Sequence, residues 1–489
     1  MQARKPEIWK SRRYDDCELN ILWSNLNLQM NNKNCLLRLI AGMLVISSFV
    51  MCTKSTNQIE RASSSTPTQD TTLANLSNEA ITNCTYTILP AEEIVDGAKI
   101  PAGSTICIPA GKRGPLLLKN FKGTAAKPII IINKGGKVTI STAITASYAF
   151  KTKNCQYFKI LGNGAPGITY GFNLNGGNLG MTMDDLSSDF EITNVEVRNC
   201  GFAGIMAKTD PSCDPATWRG HFTMRNIILH NNYIHKTGGE GFYVGNSFYA
   251  NGMSLACGKV LPHNIVNVKI YKNIIDSTGC EGIQVGSATS GCEIYNNTVK
   301  NPGLRPFAAY QNNGIQIGEG TGGKCYNNLV KNAPGNGIIV LGLGDNVVFN
   351  NFILNSKSYG IFADSRYTPG PYFQFINNTI IGSVLGGIKL NSETIPMNTV
   401  INNVIIQSET ALSIIRISRS VKLTAANNYI GKSVSTCKFV NYSSDNFHLQ
   451  SSSPLINTGA NALTYGVSSD YYGTKRPSGK AFDIGATEY

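Results

Sequence analysis

The chain has 489 residues, of which 42% are hydrophobic and only 15% charged, with 49 glycines and a formal net charge of +13. A composition rich in glycine and poor in charge argues for many turns and β structure, against a helical bundle. No Lys/Arg-rich run with interleaved aromatic residues occurs, which sets nucleic acid aside as a partner despite the basic balance.

Residues 1–51 read as an N-terminal extension and signal peptide. The basic run NNKNCLLR precedes a 13-residue apolar stretch, Leu39–Met51. That is shorter than the roughly 20 residues a membrane-spanning helix needs. Met30 lies just upstream and is a second candidate start. The phrase SFVMCTKST resembles a loose bacterial lipobox with Cys52 as the acylated residue, and a plain secretory signal is the rival reading. Residues 52–82 are rich in Ser and Thr, lack apolar periodicity and read as a tether. Without residues 1–51 the chain keeps 36 basic and 26 acidic residues, a net charge of +10. That balance can draw an anionic polysaccharide, or simply maintain solubility. Export permits disulfides. Cys84/Cys107 and Cys213/Cys257 bracket loop-like sequence and are plausible pairs, whereas Cys200, Cys280, Cys292 and Cys325 fall inside repeat units as buried thiols or ladder members.

Residues 83–140 read as an N-terminal cap with the first coils, and residues 141–445 as a solenoid. A Gly-apolar pair recurs at Gly204-Ile205, Gly241-Phe242, Gly282-Ile283, Gly314-Ile315, Gly337-Ile338, Gly360-Ile361 and Gly387-Ile388, the last three intervals being 23, 23 and 27 residues. A second marker accompanies it at Asn232, Asn273, Asn297, Asn328, Asn351, Asn378, Asn403 and Asn428. Two registered markers at such a period define a repeat fold. Short alternating apolar runs, such as Ile283 with Val285 and Ile315 with Ile317, make the unit β. Coils of this length predict an all-β, right-handed parallel β-helix. Equivalent side chains then stack about 4.8 Å apart, and the ladder asparagines hold a tight corner. Residues 446–489 read as a C-terminal capping segment.

With these repeats the chain resembles the pectin-lyase-like right-handed parallel β-helix proteins of bacterial cell envelopes. The stretch IPAGSTICIPAGKRGPLLLKNFKGTAAKPIIIINKGGKVTI (residues 100–140) is similar to their opening segment. The phrases SSPLINTGAN and DYYGTKRPSGKAFDIGATEY are similar to their closing segment. The resemblance covers about residues 83–489. It implies the fold, while the activity stays open because that fold carries lyases, hydrolases, epimerases and adhesins. The paired-aspartate and Gly-His-Gly motifs of polygalacturonase-like hydrolases are absent, as is the Asp-Pro-His-Asp motif of alginate epimerases.

Polar residues gather on the coils around Gly241, Gly282 and Gly314. The residue before the glycine is Glu240, Glu281 and Asn313 there, and the residue after the apolar position is Tyr243, Gln284 and Gln316. Long insertions at 208–225, 246–264 and 301–313 cluster around the same coils and carry Trp218, Arg219, His221, Tyr249, His263, Arg305 and Tyr310. Insertions in a solenoid map to loops over one face. Stacked on adjacent coils, the Glu240 and Glu281 carboxylates would lie about 5 Å apart and repel by roughly 3 kcal/mol at an effective dielectric near 20. A shared proton, a basic neighbour or a cation such as Ca2+ would offset this, with Asn313 adding an oxygen. Three readings stay open: a Ca2+ site of a lyase, an acid and nucleophile of a retaining glycosidase, or glutamates that cap the corner. Lys208, Arg219, Lys236 and Arg305 are candidate bases, and His221 stands beside them. Trp218, Tyr243, Gln284, Tyr310 and Gln316 are candidate sugar contacts. The histidines His221, His230, His235 and His263 cluster in sequence but lack metal-type spacing.

The resulting expectation is an exported, lipid-anchored, monomeric polysaccharide-active protein at the periplasmic or outer face of an outer membrane, cleaving a uronic-acid-containing glycan as a lyase. A β-helix glycoside hydrolase is one alternative. A non-catalytic carbohydrate-binding or adhesion protein is the other.

Overall fold

The computed structural model describes residues 83–365 and 370–489. The expected signal peptide, the candidate acylation site Cys52 and the expected tether lie outside them. The described chain winds into coils whose strands pair in parallel with equivalent strands one coil before and one coil after, while Met253–Leu255 with Gly258–Val260 and Phe439–Asn441 with Asn446–Leu449 form separate antiparallel pairs. A 12-stranded parallel sheet rises through Ile94–Asp96, Leu116–Lys119, Tyr148–Lys153, Leu179–Asp184, Ile205–Ala207, Phe242–Val244, Ile283–Val285 and Ile315–Ile317 to Ile414–Arg416 in strict chain order. The other two faces of each coil belong to one 23-stranded parallel sheet. This is the expected right-handed parallel β-helix.

The core lies along its axis. In each short strand the first and third residues point inward, so Ile205, Phe242, Ile283, Ile315, Ile338, Ile361 and Ile388 form a column, every one 0% exposed. Each such side chain contributes about 1.5–3 kcal/mol by leaving water. The middle residue points outward, giving the row Lys151, Thr182, Met206, Tyr243, Gln284, Gln316 and Ile339 by direct Cα register.

The asparagine marker is a hydrogen-bonded ladder. Asn273 Oδ1 accepts from the backbone N–H of Asn232 at 3.0 Å and from its Nδ2 at 3.1 Å, and Asn297 repeats this toward Asn273 at 3.1 and 3.0 Å. The pattern continues to Asn428. The conformational role differs from the expectation. The left-handed residue is the one before the ladder asparagine: Asn231, Lys272, Asn296, Asn327, Asn350, Asn377, Asn402 and Asn427, with φ of 50° to 56°. Seven of these eight are asparagines because few other residues adopt that region without strain. The ladder residue itself supplies hydrogen bonds. A second column, on the outer surface, stacks His230, Tyr271, Tyr295, Tyr326 and Phe349 at centroid spacings of 4.7–4.9 Å.

Disulfides join Cys84 to Cys107 and Cys213 to Cys257, and Cys200, Cys280, Cys292 and Cys325 are buried thiols. The C-terminal segment folds back along the flank of the later coils. Its Phe447, Leu449 and Ile484 cover Phe352, Ile381 and Val404, and Arg476, fully buried, is held by Glu488 at 2.8 Å.

Candidate functional site

The outward row of the short-strand sheet would meet water if the coils were bare. Over the inserted coils it does not: Met206, Tyr243 and Gln284 are buried. Ser247, at the start of the second insertion, receives Gln284 Nε2 at 2.8 Å and lies 2.9 Å from Tyr243 Oη. The two large insertions form one wall. Cys213–Cys257 joins them. Arg219 Nε donates to Pro262 O at 3.1 Å, and its guanidinium stacks 3.8 Å from the Tyr249 ring centroid. His263, buried and held near pKa 4 by desolvation, accepts from Thr209 N–H at 3.0 Å and so stays neutral.

Lys208 follows Ala207 at the end of its strand, level with Asp184 on the previous coil, since Met183 pairs with Ala207. Its side chain is buried. Nζ contacts Asp210 Oδ1 at 2.8 Å and sits 4.4 Å from the Tyr243 ring centroid. Burial alone would push this amine toward the neutral form. Asp210, Tyr243 and Glu240 outweigh burial and hold it above the usual lysine range. On the two preceding coils, Lys151 Nζ lies 3.1 Å from both Asp184 Oδ1 and Asp185 Oδ2, and Thr182 Oγ1 donates to Asp184 Oδ2 at 3.2 Å. Desolvation raises Asp184 to about 6, which leaves a carboxyl able to give or take a proton near neutrality.

Glu240 and Glu281 occupy successive rungs at the corner before the short strands, 1% and 0% exposed. Asn313 Nδ2 donates to Glu281 Oε1 at 2.9 Å. The capping arrangement is therefore half realised: Oε2 of both glutamates is buried without a partner. One oxygen from each and Cys280 Sγ lie within 4.8 Å of one another. Burial lifts Glu240 to about 7. Burial, with the Glu240 charge beside it, lifts Glu281 to about 8. A Ca2+ ion on Glu240, Glu281 and Asn313 does not fit this donor set. Asn313 turns its NH2 toward Glu281, and its Oδ1 is taken by the Asn336 N–H at 3.0 Å and Nδ2 at 2.8 Å. A thiol stands where Ca2+ would need more oxygens, of which it takes six to eight.

The structure thus gathers Lys208, Tyr243 and Gln284, with Gln316 on the next rung. It separates the rest. Arg219 is committed to holding the wall. Trp218 Nε1 donates to Ser212 O at 2.7 Å within its own loop, and His221 is exposed with its ring centroid 6.1 Å from that of Trp218. Arg305 and Lys236 line a separate pocket of about 600 Å³ with Ile144 and Asn199. Tyr310 is exposed and its carbonyl accepts from Asn313 Nδ2. The four histidines do not converge: His230 faces Glu191 at 3.0 Å and His235 faces Glu196 at 3.3 Å. The sequence reading missed Lys151, Asp184, Asp185 and Asp210. Gly180-Met181, 24 residues before Gly204-Ile205, extends the glycine register by one coil and would have brought Asp184 and Asp185 into the comparison.

Residues 260–452 match the family model described as right handed beta helix region. Among solved structures, the chain is similar to pectate lyase Pel9A at 16% identity and TM-score 0.41, over 80% of this chain and 89% of that one. It is similar to the GH136 lacto-N-biosidase from Eubacterium ramulus at 13% and 0.46, over 68% and 63%. It is also similar to an alginate lyase from Paenibacillus sp. str. FPU-7 at 16% and 0.34, over 71% and 95%. No curated protein matches the sequence. By its coil topology and the matched region, the described chain is a right-handed parallel β-helix.

Proposed function

We propose that this protein is an exported polysaccharide-active enzyme, carried on a lipid at Cys52 in an outer membrane, monomeric, and a lyase on an acidic, uronic-acid-containing glycan. The observation that supports this reading is Lys208. A buried lysine beside a sheltered Tyr243 and a rung of carboxylates gives the outer face a cation for a uronate carboxylate. It also gives a latent base: once Asp210 is drawn off, burial drives the ammonium toward the free amine, which can take the proton at the carbon next to the carboxylate. Tyr243, kept as a phenol by desolvation, is able to donate toward the departing oxygen. The two disulfides agree with an oxidising compartment. A second reading, a hydrolase, is favoured by Asp184, whose raised carboxyl beside the half-buried Asp185 resembles an acid paired with a carboxylate.

The experiment uses residues 53–489 with a panel of uronic-acid polysaccharides, with Ca2+ or with EDTA, following the absorbance of unsaturated uronate and the release of reducing ends. A rise in absorbance that Lys208→Ala abolishes supports the lyase. Reducing ends without absorbance, lost in Asp184→Asn, transfer the chemistry to hydrolysis. Neither signal leaves a carbohydrate-binding surface protein.

A further inference from the structure

We propose that Glu240, Cys280 and Glu281 form a buried binding site for a thiophilic divalent cation of the Zn2+ class, clamping the 301–313 insertion onto the coils. Donor atoms of these three residues converge within 4.8 Å, and all three residues are buried. The convergence leaves groups unmet. Glu240 Oε2 and Glu281 Oε2 have no hydrogen-bond partner, and the Cys280 thiol lies 3.9 Å from Gln311 Oε1. A buried polar atom without a partner costs free energy that native proteins rarely leave uncompensated.

The other rungs of this corner carry Asn313, Asn336, Tyr359 and Gly386, which are neutral. Carboxylates occur on two adjacent rungs only, and the lone cysteine at the corner precedes the second of them. The nearby ammonium of Lys208 is spent on Asp210 at 2.8 Å and does not compensate both glutamates. Two carboxylates with a sulfur match Zn2+, which accepts three protein ligands and a fourth donor in a tetrahedral shell. Gln311 Oε1 is placed near the sulfur to act as that fourth donor. The surroundings are those of an oriented ligand set. Asn313 Nδ2 fixes Glu281 Oε1 at 2.9 Å, and Asn336 in turn fixes Asn313 Oδ1, as outer hydrogen bonds orient ligands in metal sites. Gln311 and Asn313 both belong to the insertion, so an ion here would tie it to two coils.

The test uses the untagged full-length protein, stripped with chelator and titrated with Zn2+ and with Co2+. The expected result is one equivalent of Zn2+ per chain, a sulfur-to-cobalt charge-transfer band, and no displacement by Ca2+. Cys280→Ala is expected to abolish the band and weaken Zn2+ about tenfold or more. Glu240→Gln, which keeps the side-chain shape, is expected to weaken Zn2+ while circular dichroism stays unchanged. Failure of the folded wild-type chain to take up either ion overturns the proposal. Uptake that neither substitution alters overturns it equally.

Discussion

The buried glutamate pair makes stability depend on pH in a direction opposite to that of most carboxylates. In the unfolded chain both groups titrate near 4.5, whereas folding raises Glu240 to about 7 and Glu281 to about 8. Between these values the folded state holds protons that the unfolded state has released, so stability falls as pH rises. The contribution is fully present below about pH 4.5 and is lost once pH passes about 8. For Glu281 alone, moving a carboxyl from 4.5 to about 8 corresponds to a loss of up to roughly 5 kcal/mol at pH 9. Glu281→Gln replaces the neutral acid by an amide of the same shape and removes that loss. The assay is urea unfolding in EDTA, which keeps divalent ions from holding the carboxylates ionised, at pH 5, 7 and 9 (approximate settings bracketing the two titrations). At the lowest pH the two proteins are expected to agree within about 1 kcal/mol. At the highest, the variant is expected to be the more stable. Parallel curves, or a variant weaker by the same amount at every pH, would refute the argument that burial of an ionising pair causes the slope.

Three further outcomes follow from the geometry. Asp210→Asn removes the charge that holds Lys208 protonated, so the acidic limb of the lyase pH–rate profile should move to lower pH, measured by the appearance of unsaturated uronate; an unmoved limb excludes Lys208 as the base. Asn297→Ala strips the acceptor of Asn273 N–H and Nδ2 and should cost about 2–4 kcal/mol in urea unfolding, with the same change at exposed Asn332 costing far less. The double change Cys213→Ala, Cys257→Ala releases a loop closed over a separation of 44 residues. It should destabilise the wall by up to about 4 kcal/mol, seen as faster proteolysis within 208–264 while the β signal of the coils is retained.

Much of the scaffold was legible because a solenoid repeats its local rules. The Gly-apolar pair and the asparagine marker each return at the coil period, so Phe242, Ile283 and Ile315 could be put in one column without long-range information. The cysteine pairs were legible because each brackets loop-like sequence. The site was harder. Whether Gln284 is sheltered depends on Ser247, which reaches it from another coil's insertion. Arg219 looked like a free cation, but its partners Pro262 and Tyr249 lie in a different loop. The fate of Glu240 and Glu281 turned on the 301–313 segment, whose path no periodicity fixes. Asp184 and Asp185 were passed over because the register was started one coil late.

The returning C-terminal segment gives the solenoid a mechanical polarity. Lys331 is tied to Asp445, Asn350 to Ser469, Asn377 to Asp483 and Asn402 to Ala460. Each tie joins a coil to a strand of chain that runs beside its neighbours as well, so the later coils share load in parallel. The coils from Tyr148 to Ile283 are not spanned by these ties and are braced instead by the insertion wall, where Cys213–Cys257 and the Arg219–Pro262 bond link the insertions of successive coils. The two ends of the solenoid thus share load through different devices, a returning strap at one and a disulfide-linked wall over the candidate site at the other.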